Sequence, residues 1–225
     1  MKISEIFHSI QGEGVLAGVS SVFVRTSGCN LRCVWCDTPY TSWKPEGTEQ
    51  TVAAIVAQVS GYGARHTVLT GGEPMLFSES VELCTTLRAM GQHITIETAG
   101  TVYRNLPCDL MSISPKLRNS VPVDDPFWSV QHEKLRLQPE VLRQLMGHCD
   151  YQLKFVVAEP GDLDEIHPLV ESLGASAEKV LLMPEGRDGA TLNRRSIWIA
   201  EACKQYGYRY SPRLHVLLWG DLRGV

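Results

Sequence analysis

No apolar run in this chain approaches the roughly 20 residues that a membrane-spanning helix needs, so no membrane partner is expected. Nor is there an excess of positive charge: Lys and Arg total 21 against 25 Asp and Glu, a formal net charge of -4 at pH 7. That balance argues against the broad electrostatic footprint of a nucleic-acid binder. The start, Met1 to His8, has no signal-peptide pattern, and the expected location is the cytoplasm. Internal repeats, low-complexity tracts and linkers are missing, so the 225 residues are expected to form one domain, 1–225, with a sizeable core. There is no second C-x-x-C pair and no H-x-x-x-H pair, the paired sets that zinc sites usually show. The seven cysteines do not make a disulfide framework and suit a reducing compartment.

Three of those cysteines, Cys29, Cys33 and Cys36, share one short loop with the spacing C-x-x-x-C-x-x-C. A four-iron cluster normally has four cysteine ligands. Three thiolates hold three irons and leave the fourth open to a substrate or cofactor, so the loop points to chemistry and not only to electron storage. Two further readings stay open on the residues alone. The loop could belong to a structural zinc site with a fourth ligand elsewhere, or Cys33 and Cys36 could form a dithiol redox pair. Cys84, Cys108, Cys149 and Cys203 stand alone and read as small core residues.

Strand-like and helix-like runs alternate along the chain. Ser21–Thr26, His66–Thr70, Ile94–Thr98, Leu110–Ser114, Tyr151–Val157 and Val180–Met183 read as strands. Helical spacing places Val52, Ile55, Val56 and Val59 on one face, and Val81, Cys84, Leu87 and Met90 on another. Pro139 suits the first turn of a helix reaching about His148. Asp162 with Glu165 reads as a capping signal for a helix with Ile166, Leu169, Val170 and Leu173 on its apolar face. Ile199, Ala202, Cys203 and Tyr206 mark a last long helix. This alternation predicts an α/β fold with a mainly parallel sheet, open or curved toward a barrel. Ligands collect at the carboxyl ends of such strands. The unusual residues of this chain stand there, just after Thr26, Thr70, Glu97, Ile113 and Met183.

The cysteine spacing, Trp35 before the third cysteine, and Gly71-Gly-Glu-Pro74 one β/α unit later resemble the radical S-adenosylmethionine (SAM) superfamily. A narrower resemblance covers nearly the whole chain. Phe7–Gly14 with its Ile-Gln-Gly-Glu-Gly element, Cys36-Asp-Thr38, Thr70–Met75, Ile96–Thr98, Ser114-Pro-Lys116 and Leu214–Gly220 are similar, in order, to the 7-carboxy-7-deazaguanine synthase family. That resemblance implies a single-domain partial (β/α) barrel of the radical SAM type with modified helices. It implies a carbon–nitrogen lyase in queuosine and deazapurine biosynthesis. Its reaction is the ring contraction of 6-carboxy-5,6,7,8-tetrahydropterin to 7-carboxy-7-deazaguanine with loss of ammonia. The implied cofactors are a [4Fe-4S] cluster, SAM and Mg2+. SAM would chelate the open iron, and a 5′-deoxyadenosyl radical would take and return a substrate hydrogen. The implied partners are the pterin substrate, a one-electron donor of flavodoxin or ferredoxin type, and a second copy in a homodimer.

Residue roles follow from the resemblance. Cys29, Cys33 and Cys36 would ligate the cluster. Trp35 offers a flat face near adenine, or packs as plain core, and Cys36 and Asp37 lie close to SAM. Gly71 and Gly72 would let backbone approach the methionine portion. Glu97 would accept from the ribose hydroxyls, with Ser114, Pro115, Lys116 and Met183 as further SAM contacts. Lys116 has a solvated surface lysine as its competing reading. For the substrate, Arg25 would take the carboxylate, since its fork permits bidentate pairing and an inward arginine on an apolar strand is costly unless paired. Ile10, Gln11, Gly12 and Glu13 would meet the ring edge, with Thr70 and His215. Thr38, rather than the charged Asp37, would give Mg2+ its hydroxyl ligand.

Two stretches depart from the pattern. The tail Trp219–Val225 is longer than in some relatives, and a terminal-carboxylate role is not carried over to Val225. Residues 118–136 stay open between a lid, a dimer surface and a loop without a role. Two other functions remain in contrast: an activase placing a glycyl radical on a partner protein, and a non-catalytic iron–sulfur carrier.

Overall fold

The computed structural model describes residues 1–225. Nine strands form one sheet: β1 (Lys2–Ile10), β2 (Ser20–Thr26), β3 (Thr48–Glu49), β4 (His66–Gly71), β5 (His93–Thr98), β6 (Leu110–Ile113), β7 (Asp150–Val157), β8 (Val180–Pro184) and β9 (Arg209–Tyr210). Their order is β3-β1-β2-β4-β5-β6-β7-β8-β9. From β2 to β9 every neighbouring pair is parallel, whereas β1 runs antiparallel to both β2 and β3. The sheet is thus open and mostly parallel, as the alternation predicts. The central strands are buried along their length, which is why β4 and β6 read as runs and not as alternations.

The helices are α1 (Pro39–Ser42), α2 (Val52–Gly61), α3 (Glu79–Ala89), α4 (Pro126–Leu135), α5 (Pro139–Met146), α6 (Leu163–Leu173), α7 (Gly189–Tyr206) and α8 (Leu214–Trp219). Local chemistry sets several ends. Thr51 caps α2 by accepting from Ala54 N at 3.2 Å, and Asp188 caps α7 by accepting from Thr191 N at 2.8 Å.

Three sequence expectations shift. In α3 the buried residues are Ser80, Leu83, Cys84 and Leu87, while Val81 and Met90 are exposed. A row of i, i+3 steps drifts by about 60° each time around a helix, so its two ends leave the face that its middle marks. Near α6 the reciprocal cap is between Glu159 and Asp162, around a 3-10 turn at Pro160–Asp162. Asp162 accepts from Ala158 N at 2.7 Å, and Glu165 turns instead to Arg136 and to the backbone of Arg118. Finally, Cys108 and Cys149 are not isolated: their sulfurs lie 3.2 Å apart.

Residues 118–136 brace the cysteine loop. Arg32 N donates to His132 Nδ1 at 3.1 Å, Val34 N donates to Ser120 O at 2.9 Å, and the Arg32 guanidinium lies 4.2 Å from the Trp128 ring centroid.

Candidate active site

The carboxyl ends of β2 and β4 to β8, with the end of β1 and α8, surround a cavity of about 440 Å³. Every site residue expected from the sequence lines it except Pro115, which is buried beside Ser114 and Lys116. Residues 220–225, Val225 included, line it as well.

The cysteine loop forms one wall. Leu31, Cys33 and Ala99 make a small apolar cluster apart from the main core, with Cys29, Trp35 and Cys36 packed against it. Burial pushes the thiols of Cys29 and Cys33 up to about 12. Cys36 Sγ lies 3.2 Å from Ser42 Oγ. Trp35 donates to Asn119 Oδ1 at 3.2 Å, and Lys116 Nζ sits 5.6 Å from its ring centroid while donating to Ser114 Oγ at 2.7 Å. Lys116 is therefore a half-buried cavity residue, not a solvated one.

The opposite wall carries an ion network. Glu13 accepts from Lys154 Nζ through one oxygen and from Arg213 Nε at 3.1 Å through the other. Arg213 also donates to Asp37 and, at 2.7 Å, to Gly186 O. His215 Nε2 stands 4.0 Å from Glu13. Burial works against the Glu13 charge, but Lys154, Arg213 and His215 outweigh it and hold the carboxyl well below the usual range. Glu13 is therefore an ionised acceptor facing the cavity.

Between the walls, Glu97 accepts from Gln11 Nε2 at 3.1 Å and from Thr70 Oγ1 at 2.8 Å. These bonds tie Glu97 to two of the residues expected at the substrate ring. Arg25 donates through Nε to Glu5 at 2.6 Å and lies 5.4 Å from the Phe7 ring centroid.

Close backbone approach explains two glycines. A Cβ on Gly72 would lie 2.1 Å from Gly28 O, so the β4 end could not dock on the cysteine loop. This contact within the chain stands beside the expected reason, approach of a ligand. A Cβ on Gly12 would lie 2.0 Å from His215 Nδ1, and Gly12 O accepts from Leu214 N at 2.8 Å. Gly12 thereby seats α8 against the cavity.

Residues 23–120 match the family model described as the radical SAM superfamily. A 7-carboxy-7-deazaguanine synthase of Halobacterium salinarum is 46% identical over 234 residues, covering 98% of this chain and 91% of that one. The chain belongs to the 7-carboxy-7-deazaguanine synthase family. The synthase of Rhodopirellula baltica is also 46% identical, covering 99% of this chain and 88% of its own. The crystal structure of QueE from Escherichia coli shares the fold, with a TM-score of 0.70 and 24% identity over 93% of this chain and 92% of that one.

Membership in this synthase family implies a [4Fe-4S] cluster and SAM, and the residues fit both. Three thiols line the cavity and pack on one small cluster, while Cys84, Cys108 and Cys203 belong to the main core. Thiols buried in this way become thiolates only beside strong positive charge, which cluster iron supplies. Trp35 and Gly72 line the same cavity, where a flat apolar face and a backbone edge would suit SAM. No helix is long and apolar enough to cross a membrane.

Sequence reasoning missed Lys154, Arg213 and Glu5. Their motifs are silent, but each is a charged residue in an otherwise apolar or strand setting, and that was the signal available.

Proposed function

We propose that this chain converts 6-carboxy-5,6,7,8-tetrahydropterin to 7-carboxy-7-deazaguanine with loss of ammonia, acting as one radical SAM domain over residues 1–225. One observation carries the reading. A single cavity brings the three thiols together with the ionised Glu13, Gln11 and Arg25, a set matched to a guanidine-like ring edge and a carboxylate.

When bound, the cluster and SAM supply the one-electron chemistry that removes and returns a substrate hydrogen. The chain's own residues bind and orient. The Arg25 fork takes the substrate carboxylate through the nitrogens that Glu5 leaves free. Glu13 keeps acceptor capacity for ring N–H groups after Lys154 and Arg213 are satisfied. Gln11, Thr70 and Glu97 form one hydrogen-bonded row along the ring, and His215 meets it from α8. Trp35 faces adenine. Cys36, Asp37, Gly71, Gly72, Ser114, Lys116 and Met183 border SAM, with Pro115 supporting from behind. Residues 220–225 exclude water on the remaining side.

Mg2+ at Thr38 completes the reading, because Asp37 is already engaged by Arg213 and Thr38 lines the cavity. So do a flavodoxin- or ferredoxin-type electron donor, a homodimer and a cytoplasmic location, the last supported by seven free cysteines. The deciding experiment is anaerobic. Reconstituted protein given SAM, a reductant and the carboxytetrahydropterin should form the deazapurine, read by chromatography. Protein that cleaves SAM but never converts this pterin refutes the assignment.

A further inference from the structure

We propose that Glu5 is a positioning residue that aims Arg25 at the substrate carboxylate and couples it to the C-terminal segment through Arg223. The proposal rests on the reading above, in which Arg25 binds that carboxylate.

Backbone register creates the pair. Across β1 and β2, Ile3 faces Thr26, yet Glu5 faces Arg25, so one residue is inserted at Ser4. Such a bulge re-aims the side chains beyond it. Without it Ser4 would oppose Arg25, and Glu5 would fall one step further along, beside Val24. With it, Glu5 and Arg25 are direct cross-strand partners on one face.

The bond made is informative. Glu5 Oε1 accepts from Arg25 Nε at 2.6 Å, not from the paired terminal nitrogens. The Nη pair therefore stays available for a bidentate carboxylate. Glu5 does not line the cavity, while Arg25 does, so Glu5 acts through Arg25. Both side chains are largely buried, 14% and 17% exposed, which limits the rotamers open to the arginine.

Glu5 is also shared. Tyr40 OH donates to the same Oε1 at 3.0 Å, and Arg223 Nε donates to Oε2 at 3.0 Å. Arg223 further reaches Ser4 Oγ, the bulge residue, at 3.2 Å and Glu46 at 3.3 Å, with its guanidinium 3.8 Å from the Tyr40 ring centroid. One carboxylate thus fixes the substrate arginine and the segment that covers the cavity. Arg223 has Glu46 as a second partner, and Glu5 engages Arg25 only through Nε, so the Arg25 Nη nitrogens are the donors left to meet an anion.

The test uses cluster-loaded enzyme under anaerobic conditions. Glu5→Gln should raise KM for the carboxytetrahydropterin about tenfold, the loss of most of one charge-assisted bond, with kcat within about twofold. Binding of a pterin lacking the carboxylate should not change. Equal weakening for both pterins, or no change in KM, overturns the proposal, because a merely structural role does not discriminate between them. Arg25→Gln separates the two layers. If it too leaves carboxylate discrimination intact, the reading of Arg25 falls with the proposal. If it abolishes discrimination while Glu5→Gln does not, only the proposal falls. Arg223→Gln, at the surface, should raise the same KM about threefold alone and have no added effect on Glu5→Gln. Additive effects refute the coupling, and should Glu5→Gln fail to fold, an unchanged KM for Arg223→Gln refutes it alone.

Discussion

Replacing Arg213 by Met tests whether the ion network is what holds Glu13 in its working state. The Arg213 side chain is 7% exposed and Glu13 15%, so removal of the guanidinium strands buried charge. Breaking a buried pair from one side costs about 3–5 kcal/mol. Lys154 stays on Glu13, and Asp37 is 44% exposed and can be rehydrated, which places the expected loss near the lower figure, about 3 kcal/mol. Urea denaturation of the cluster-free protein, followed by circular dichroism, keeps metal binding out of the measurement. The midpoint should fall with the slope unchanged. Arg213→Lys retains the charge but cannot span Glu13, Asp37 and Gly186 O together, so it should lie between wild type and Arg213→Met. Adding Glu13→Gln to Arg213→Met removes the under-compensated carboxylate and should recover about 1 kcal/mol. A loss below about 0.5 kcal/mol, the range of ordinary surface changes, would refute the reasoning. So would a double variant that is merely the sum of its parts.

Stability should also fall with acid before the carboxylates titrate. Burial lowers His66 and His132 to about 4, so between that value and the unfolded value near 6.5 the unfolded chain binds the extra protons. The contribution is full above about pH 6.5 and fades as pH falls, with a slope approaching about 1.4 kcal/mol per pH unit for each histidine; His66→Gln and His132→Asn should flatten it in denaturant midpoints. Gly72→Ala should cost about 1–3 kcal/mol by overpacking and reduce iron per chain, whereas Gly61→Ala, whose Cβ meets nothing within 4 Å, should do neither. Cys33→Ala should lose bound iron while Cys84→Ala keeps it, as measured by iron and sulfide analysis after anaerobic reconstitution; equal retention would argue against three-cysteine ligation.

What could be read from the sequence divides along the range of the interactions. The parallel strands and the faces of α2 and α6 were legible because apolar periodicity is local. The ligand-bearing motifs were legible because each sits in a few residues at a strand end. Pairings were not: Lys154 and Arg213 reach Glu13 across 141 and 200 residues of chain, and a one-residue bulge decides that Glu5 and not Ser4 faces Arg25. The physical rule that exposed the need for a partner at Arg25 applies equally to Lys154. A lone lysine in Tyr151–Val157, otherwise nearly all apolar, must neutralise or find a carboxylate. Glu13, Asp37, Glu73 and Glu97 were all motif carboxylates that could have served. Charge balance therefore names the kind of partner that a buried charge requires, and topology alone says which residue it is. The site leaves hydrogen-bonding capacity open at two places: Glu13 keeps lone pairs beyond those used by Lys154 and Arg213, and Arg25 meets Glu5 through Nε alone. A carboxylated substrate with a donor-rich ring edge meets both at once.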